Sequence, residues 1–459
     1  MMERARQNIT KILGAGIILL FAVCSPMAGA SPYLMGSTIK AGPMKLVFTT
    51  APQTGIQQLA CSGLVTLQNQ TMGGVPTNVP GNLNVNLGSL GSVIFYSDSR
   101  CANPIQNISI QSGTNSVSFY FNADSSTSVS IGASAPGYLA VAQSESLTTN
   151  PYIWTGGAGS NVWSTGGNWS GGAAPATAYV AYFNGGCSTY CSPTISTSLN
   201  IAGIRIAPSF SGSLSVAATV TLGTSGFVQQ GGTFNLGTSS LTTSGPFLLG
   251  GGTFNNTTGS VNVNTPAGSF IVAQPSTFTP GTGMLTIAGV TTLVPGSVVY
   301  NNVTLSPGSG PMNMYGGSMN IAGNLTLSPT ISASQMNSGT LLVSGNLAGS
   351  SVYAITGSAN IQLLGATNTT ISNGSNGFPG TSLTVNKSSG ATVTLVSPLS
   401  YNSAGQTLSV LSGSVLLNGQ AATLAALSLN GNTLTKGGGN LTVASTSIGT
   451  GSLFGGTIN

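Results

Sequence analysis

The sequence predicts an all-β protein in which a small β-sandwich is followed by a β-solenoid, and three observations lead to this fold class. Hydrophobic residues make up 40% of the 459 residues and alternate with small polar residues, as in half-buried strands. Short segments recur at intervals of about 20 residues in the C-terminal part of the chain. The 66 glycines supply the tight corners that such an array requires.

Charged side chains are rare throughout the chain. Asp, Glu, Lys and Arg together make up 3% of the residues, against about 25% in an ordinary soluble domain, and histidine is absent. The few basic residues are scattered along the sequence rather than clustered. Since no basic patch could neutralise a run of phosphates, nucleic acid is not an expected partner.

The first 30 residues have the pattern of a secretory signal peptide. Three basic residues in the first eleven positions precede an apolar run at 12–23, and small residues follow at 28–30. The run is shorter than the roughly 20 residues that span a bilayer, so cleavage before Ser31 is favoured over an uncleaved anchor. We therefore expect a secreted or cell-surface protein of a Gram-negative bacterium, without a membrane span after cleavage, and a linker at 31–44.

The cysteine pattern predicts two disulfides. Of the five cysteines, Cys24 lies in the predicted signal peptide, which leaves Cys61, Cys101, Cys187 and Cys191. An even number in an exported chain favours disulfides, and four cysteines allow three pairings. We favour Cys61–Cys101 and Cys187–Cys191 because each pair then falls within one predicted domain. Four free thiols are the alternative. Without histidine, neither a metal site nor a cofactor is expected.

Residues 45–148 are predicted to form the β-sandwich, because alternating segments follow one another at close spacing over this stretch. The segments lie at 45–50, 63–68, 83–87, 92–96, 116–121 and 127–131. The succession of KLVFTTAP, LNVNLGSLGSVIFYSDSRC and SVSFYFNADSSTSVSIGASAPG resembles the Ig-like repeats of bacterial surface proteins of the invasin and adhesin type. That resemblance implies an Ig-like fold and the role of a spacer that holds a binding tip away from the cell.

Residues 151–459 are predicted to form the solenoid, and a tryptophan-rich cap at 151–175 opens it. Trp154, Trp163 and Trp169 are the three tryptophans of the protein. The segment WTGGAGSNVW with the following NW resembles the opening of β-helical regions in autotransporter passengers. The rings could cover the apolar end of the first coil, or they could stack on glycans. We favour the cap, since large aromatic side chains more often pack than bind ligands.

The repeats themselves predict a right-handed β-helix. The segment GGTFN at 231–235 recurs at 251–255, and NVTLSP at 302–307 is echoed by NLTLSP at 324–329. Coils of about 20–25 residues, stacked about 4.8 Å apart, would give roughly a dozen coils and a rod of about 60 Å. An array of β-sandwiches is the competing fold. The chain stops in glycine-rich sequence without a polar cap, so we expect it to be truncated at its C-terminus.

The residue types also bound the function. No Asp, Glu or His occurs from 151 to 459, so the solenoid lacks the carboxylates of polysaccharide hydrolases and the Ca²⁺ ligands of solenoid lyases. We therefore expect a non-catalytic, adhesin-like protein that binds cells or glycans through its solenoid. A passive structural or self-assembling surface component is the alternative. A carbohydrate-active enzyme is the least favoured interpretation.

Overall fold

The structure is a computed structural model that describes residues 44–58, 61–90, 93–99, 101, 104–123, 127–148, 152–266, 268–372, 374–388, 390–447 and 452–454. All of them belong to one compact unit, Pro43–Asn459. The predicted signal peptide, Cys24 and residues 31–43 of the predicted linker lie outside the described residues.

Residues 44–148 form two β-sheets. The strands are β1 Met44–Phe48, β2 Ile56–Gln57, β3 Val65–Thr71, β4 Leu83–Leu90, β5 Val93–Tyr96, β6 Pro104–Ile105, β7 Asn107–Ile110, β8 Ser116–Ala123, β9 Ser128–Ser134, β10 Tyr138–Leu139 and β11 Val141–Thr148. They run in the order β10-β1-β3-β8-β5-β6 in one sheet and β2-β11-β9-β4-β7 in the other.

One hydrophobic core serves both sheets. Leu67 of β3 and Phe119 of β8 come from the first sheet, Val85 of β4 and Ile131 of β9 come from the second, and all four belong to a single buried cluster. Strand β3 buries every second side chain at its start, as the alternating sequence predicts. The structure thus shows two sheets on a common core, and the Ig-like class of this part stays a prediction.

The rest of the chain is a parallel β-solenoid of about 12 turns, preceded by a 3₁₀ turn at Gly166–Asn168 and interrupted by another at Gly374–Asn376. Its strands are β12 Val180–Phe183, β13 Thr194–Ile195, β14 Leu199–Ile206, β15 Ser213–Val216, β16 Val220–Gly237, β17 Leu241–Thr243, β18 Phe247–Asn256, β19 Val261–Asn264, β20 Ser269–Val272, β21 Thr277–Thr279, β22 Met284–Ala288, β23 Thr292–Val294, β24 Val299–Tyr300, β25 Asn302–Ser306, β26 Met312–Met314, β27 Ser318–Ile321, β28 Leu325–Leu327, β29 Met336–Asn337, β30 Thr340–Val343, β31 Leu347–Ala348, β32 Asn360–Leu363, β33 Thr369–Ser372, β34 Ser382–Asn386, β35 Thr392–Leu395, β36 Leu399–Tyr401, β37 Thr407–Ser412, β38 Ser414–Leu416, β39 Ala422–Ser428, β40 Thr433–Thr435, β41 Leu441–Ser447 and β42 Ser452–Phe454.

The sequence echoes set the strand register between coils. Phe234 of the first GGTFN segment pairs with Phe254 of the second, and Leu305 of NVTLSP pairs with Leu327 of NLTLSP. Like residues thus lie one above another in parallel strands. The solenoid prediction is confirmed, and the alternative of a sandwich array is wrong for this region. The handedness of the coil stays a prediction.

Stacked phenylalanines fill the interior of the early coils. The ring of Phe247 lies 5.4 Å from that of Phe227 and 5.2 Å from that of Phe270, measured between centroids. A second stack joins Phe234 and Phe254 at 5.0 Å. These separations are close to the spacing between neighbouring strands, so each ring covers the ring of the next coil and keeps water out.

An asparagine ladder holds one corner of the later coils. The side-chain oxygens of Asn302, Asn324 and Asn346 each accept a hydrogen bond from a backbone N–H of the following coil, at 3.0, 2.9 and 2.9 Å. Corner amides point away from the strand ladders and need another acceptor. Each asparagine oxygen of the ladder is such an acceptor, so these backbone N–H groups form hydrogen bonds within the protein.

Lys387 follows β34, and its side chain is fully buried. Its Nζ donates hydrogen bonds to the carbonyl oxygens of Ser344 at 3.3 Å and Leu364 at 2.5 Å. No carboxylate occurs in residues 151–459 to balance the ammonium. Burial therefore lowers the pKa of Lys387 below its ordinary value of 10.5, because the charged form loses hydration.

This burial predicts a pH-dependent stability. Between the folded-state pKa and the unfolded-state value of 10.5, unfolding takes up a proton, so the free energy of unfolding rises with pH across that window. Lys387→Met removes the effect. The free energy of unfolding of wild type, relative to that of this variant, should therefore increase as pH rises from 7 to 10. Urea unfolding at four pH values measures it.

Buried tyrosines do not disturb this comparison. Burial raises the pKa of Tyr300 and of Tyr401, so each gives stability that is lost as pH rises above the unfolded-state value of 10. Their contributions are common to both proteins and cancel in the difference. A difference that is constant from pH 7 to 10 would show that the Lys387 ammonium is not destabilised by burial.

Candidate functional site

The three tryptophans lie inside the protein. Trp154, Trp163 and Trp169 are 0%, 5% and 2% exposed, and Trp169 packs edge-on against both of the others, with centroids at 5.1 and 4.7 Å. Phe183 of β12 packs against all three rings. This burial supports the interpretation as a cap, because no ring face is exposed for a glycan to stack on.

The indole nitrogens are also used within the protein. Nε1 of Trp154 donates to the carbonyl of Tyr190 at 3.0 Å, and Nε1 of Trp169 donates to the carbonyl of Trp163 at 2.8 Å. Tyr190 lies in the short loop that the Cys187–Cys191 disulfide closes. The cap is thus tied to this loop by a hydrogen bond, and the loop is closed covalently.

Both predicted disulfides are present in the structure. Cys61 and Cys101 are joined within the two-sheet part, with a sulfur–sulfur distance of 2.09 Å. Cys187 and Cys191 are joined at 2.08 Å at the start of the solenoid. The favoured pairing is therefore confirmed, and the alternative of four free thiols is wrong.

The acidic residues of the described chain, Asp98 and Glu145, both belong to the two-sheet part. Glu145 of β11 is 1% exposed, and its carboxylate accepts hydrogen bonds from the backbone N–H of Gln53 and from Nε2 of Gln143. Its role is to join two segments of the two-sheet part. Within the described residues, no group of three or more His, Cys, Asp or Glu side chains could hold a metal ion.

The outer surface of the solenoid carries almost no charge. Of its three cationic side chains, Arg205 and Lys387 are buried, and Lys436 alone is partly accessible among the residues described from 152 to 454. Acidic residues are absent from this part of the sequence. Apart from Lys436, this surface therefore offers a ligand neutral hydrogen bonds and packing. Within the described residues, no helix has the length and apolar character needed to cross a membrane.

A polar groove is present on one flank of the solenoid, where three successive coils contribute the segments 354–357, 375–381 and 400–406. Its volume is about 470 Å³. Thr356, Ser375, Asn402 and Ser403 present exposed polar side chains to it, and Phe378 is buried beneath them. None of the described lining residues is charged, so the groove offers hydroxyl and amide groups around a small apolar floor.

Hydrogen bonds between coils fix the walls of this groove. Nε2 of Gln406 donates to the carbonyl oxygens of Phe378 at 3.1 Å and Gly380 at 3.2 Å. The hydroxyl of Tyr401 donates to the same Gly380 oxygen at 2.9 Å. Gly380 has a φ of +84°, a conformation that a side chain would strain. The groove is therefore preformed, which lowers the entropy cost of binding a ligand.

The sequence patterns did not predict the groove. It forms where loop segments of three coils come together, which no single repeat reveals. A usable signal is present in the segment NGSNGFPG at 373–380, where Gly, Asn, Ser and Pro cluster between two strands and predict a loop.

In comparisons with known proteins, no family model matches the chain, and neither a curated protein nor a solved structure matches it. The fold defines the protein as an all-β chain with a parallel solenoid, and the polar groove on the flank of that solenoid is referred to below as the flank groove.

Proposed function

We propose that this chain is an exported, non-catalytic, adhesin-like protein that binds neutral glycans of cell surfaces through the flank groove. One observation carries the proposal: the groove is preformed, uncharged and about 470 Å³ in volume. This size lies within the roughly 300–1,000 Å³ range of ligand pockets. Neutral sugars present hydroxyl groups and small apolar faces, which match the hydroxyls, amides and apolar floor of the groove.

Other features support export and the absence of catalysis. Two disulfides suit an oxidising compartment outside the cytosol, as the signal-peptide pattern also does. The solenoid sequence has no carboxylate and no imidazole to move a proton in glycosidic cleavage. In this proposal the two-sheet part is the Ig-like spacer and the solenoid is the contact surface.

A passive, self-assembling surface component is the second candidate, and the surface chemistry favours it. Proteins whose surfaces carry charge of the same sign repel one another. The described solenoid has one partly accessible cation, so little repulsion opposes contact between copies. Self-association into fibres at micromolar concentration, without glycan binding, would support this role over the first.

The groove predicts glycan binding that a bulky residue blocks. Ser403→Trp places an indole at an exposed position of the groove, so affinity for a neutral oligosaccharide should fall at least about tenfold, which is about 1.4 kcal/mol. Asn264→Trp, at an exposed position on a remote coil, is the matched control and should bind as wild type does. A glycan array identifies the ligand and calorimetric titration gives the affinity.

The salt dependence separates this site from a charged one. Binding should stay constant between about 0.05 and 0.5 M NaCl, because no ionic contact is available for salt to screen. An array on which no neutral glycan binds, or equal binding by the Ser403→Trp variant, would contradict a glycan site in the groove.

A further inference from the structure

A cavity of about 180 Å³ lies where the two-sheet part meets the first coils of the solenoid. Ile94 of β5 and Asn122 of β8 line it from one side. Tyr182 of β12, Arg205 of β14 and Gln230 of β16 line it from the other. Among the described residues that line the cavity, none is acidic and Arg205 is the one cationic group.

Arg205 is buried in this wall without a counterion among the described residues. Its side chain is 5% exposed, and its Nε has no hydrogen-bond partner there. Burial lowers the pKa of Arg205, and the nearby Tyr96 opposes this. A guanidinium carries five N–H donors in a rigid fork, so leaving Nε unpaired away from water is unfavourable.

The nearby polar groups do not supply the missing negative charge. Burial raises the pKa of Tyr96, so its phenol is neutral, and it accepts a hydrogen bond from Nδ2 of Asn122 at 3.1 Å. The charge of Asp98 raises the pKa of Tyr96 further, whereas the pKa of Arg205 is affected by burial and by Tyr96. Among the described residues, no carboxylate therefore pairs with the Arg205 guanidinium, which lines the cavity.

We propose that this cavity binds a small oxyanion, carboxylate or phosphate, whose oxygens accept hydrogen bonds from Arg205. The guanidinium fork matches both groups geometrically. The volume corresponds to about six water molecules at about 30 Å³ each, and it is below the roughly 300 Å³ at which pockets for larger ligands begin. The occupant is thus a small anion rather than an oligosaccharide.

Such an anion would also join the two parts of the protein. Residues of β5 and β8 form one side of the cavity, and residues of β12, β14 and β16 form the other. A bound oxyanion neutralises the one buried charge between them. Binding to the folded state alone raises the free energy of unfolding, so the anion should act as a specific stabiliser.

The test compares thermal unfolding in sodium phosphate, sodium acetate and sodium chloride at equal ionic strength. A saturable rise of Tm in phosphate or acetate, absent in chloride, is expected, and the two salts separate a phosphate site from a carboxylate site. Arg205→Met keeps an apolar side chain of similar length without the fork, and should weaken the anion response at least tenfold. Lys436→Met removes a partly accessible charge and should keep the full response.

A direct measurement on the wild-type protein covers the case in which Arg205→Met does not fold. Equilibrium dialysis against radiolabelled phosphate and acetate should give one bound anion per chain at saturation. No saturable binding of either anion, or the same Tm response in Arg205→Met as in wild type, would overturn the proposal and leave the cavity to water.

Discussion

Trp169→Ala is expected to lower the free energy of unfolding of the cap by about 3–5 kcal/mol, the usual cost of truncating a large buried aromatic side chain. Trp169 is 2% exposed and contacts both other tryptophans and Phe183. The change leaves a cavity among these rings, and it also removes the donor that satisfies the carbonyl of Trp163. The first coil then loses its cover, and water reaches its apolar end.

Two spectroscopic signals separate the cap from the rest of the solenoid. All tryptophans lie in the cap, so their fluorescence follows its unfolding in urea, while far-UV circular dichroism follows the strands of the whole chain. In Trp169→Ala the fluorescence transition should move to lower urea more than the circular dichroism transition does. Val162→Ala truncates a half-exposed neighbour and serves as control, with a change of less than about 0.5 kcal/mol. An unchanged fluorescence transition in Trp169→Ala would show that the rings do not stabilise the coil.

The second large effect is expected at a glycine where two coils touch. A Cβ on Gly283 would overlap the carbonyl oxygen of Gly259 in the preceding coil and would lie 3.0 Å from Nδ2 of Asn256. That amide donates to the Gly259 oxygen at 2.7 Å and to the Pro280 oxygen at 3.0 Å, and it is buried. Gly283→Ala should therefore destabilise the protein by about 2–4 kcal/mol, through overpacking and the disturbed hydrogen bond.

Gly250→Ala is the matched control for this substitution. Gly250 lies in β18 at a register shift against β16, outside the left-handed backbone region, and the nearest atom to an added Cβ is Cγ of Gln230 at 3.9 Å. The change should be neutral or slightly stabilising, because alanine reduces the freedom of the unfolded chain. Urea unfolding of both variants measures the difference. Equal stability of the two would mean that the coils separate easily at Gly283.

The solenoid was predictable because its repeats carry their own register. Phe234 and Phe254 occupy the same position in two GGTFN segments. Stacking such segments places identical side chains on top of one another in the core. The disulfides were predictable for a related reason, since pairing within a domain needs no knowledge of how domains meet. The Ig-like class of residues 45–148 rests on a resemblance in pattern, which strand spacing alone does not fix.

The buried cations show where strand patterns lose their predictive value. Arg205 lies between the core residues Ile204 and Ile206, so alternation places it on the outer face of the coil. It is nevertheless buried, since the two-sheet part covers that face at the cavity it helps to line. Lys387 likewise precedes two serines and a glycine, a composition typical of a solvated turn, but it reaches carbonyl oxygens of two earlier coils. Both outcomes depend on contacts between distant segments.

The asparagine ladder has an evolutionary consequence. Asn302, Asn324 and Asn346 recur at intervals of 22 residues and each performs the same task for the coil that follows. A duplication or deletion of one such interval places equivalent corners next to each other, so each remaining corner N–H still donates to an asparagine oxygen. Gene rearrangement can therefore lengthen or shorten the rod in whole coils of about 4.8 Å without any new side-chain chemistry. The length of the rod can therefore change with the number of repeats, independently of the sequence within each repeat.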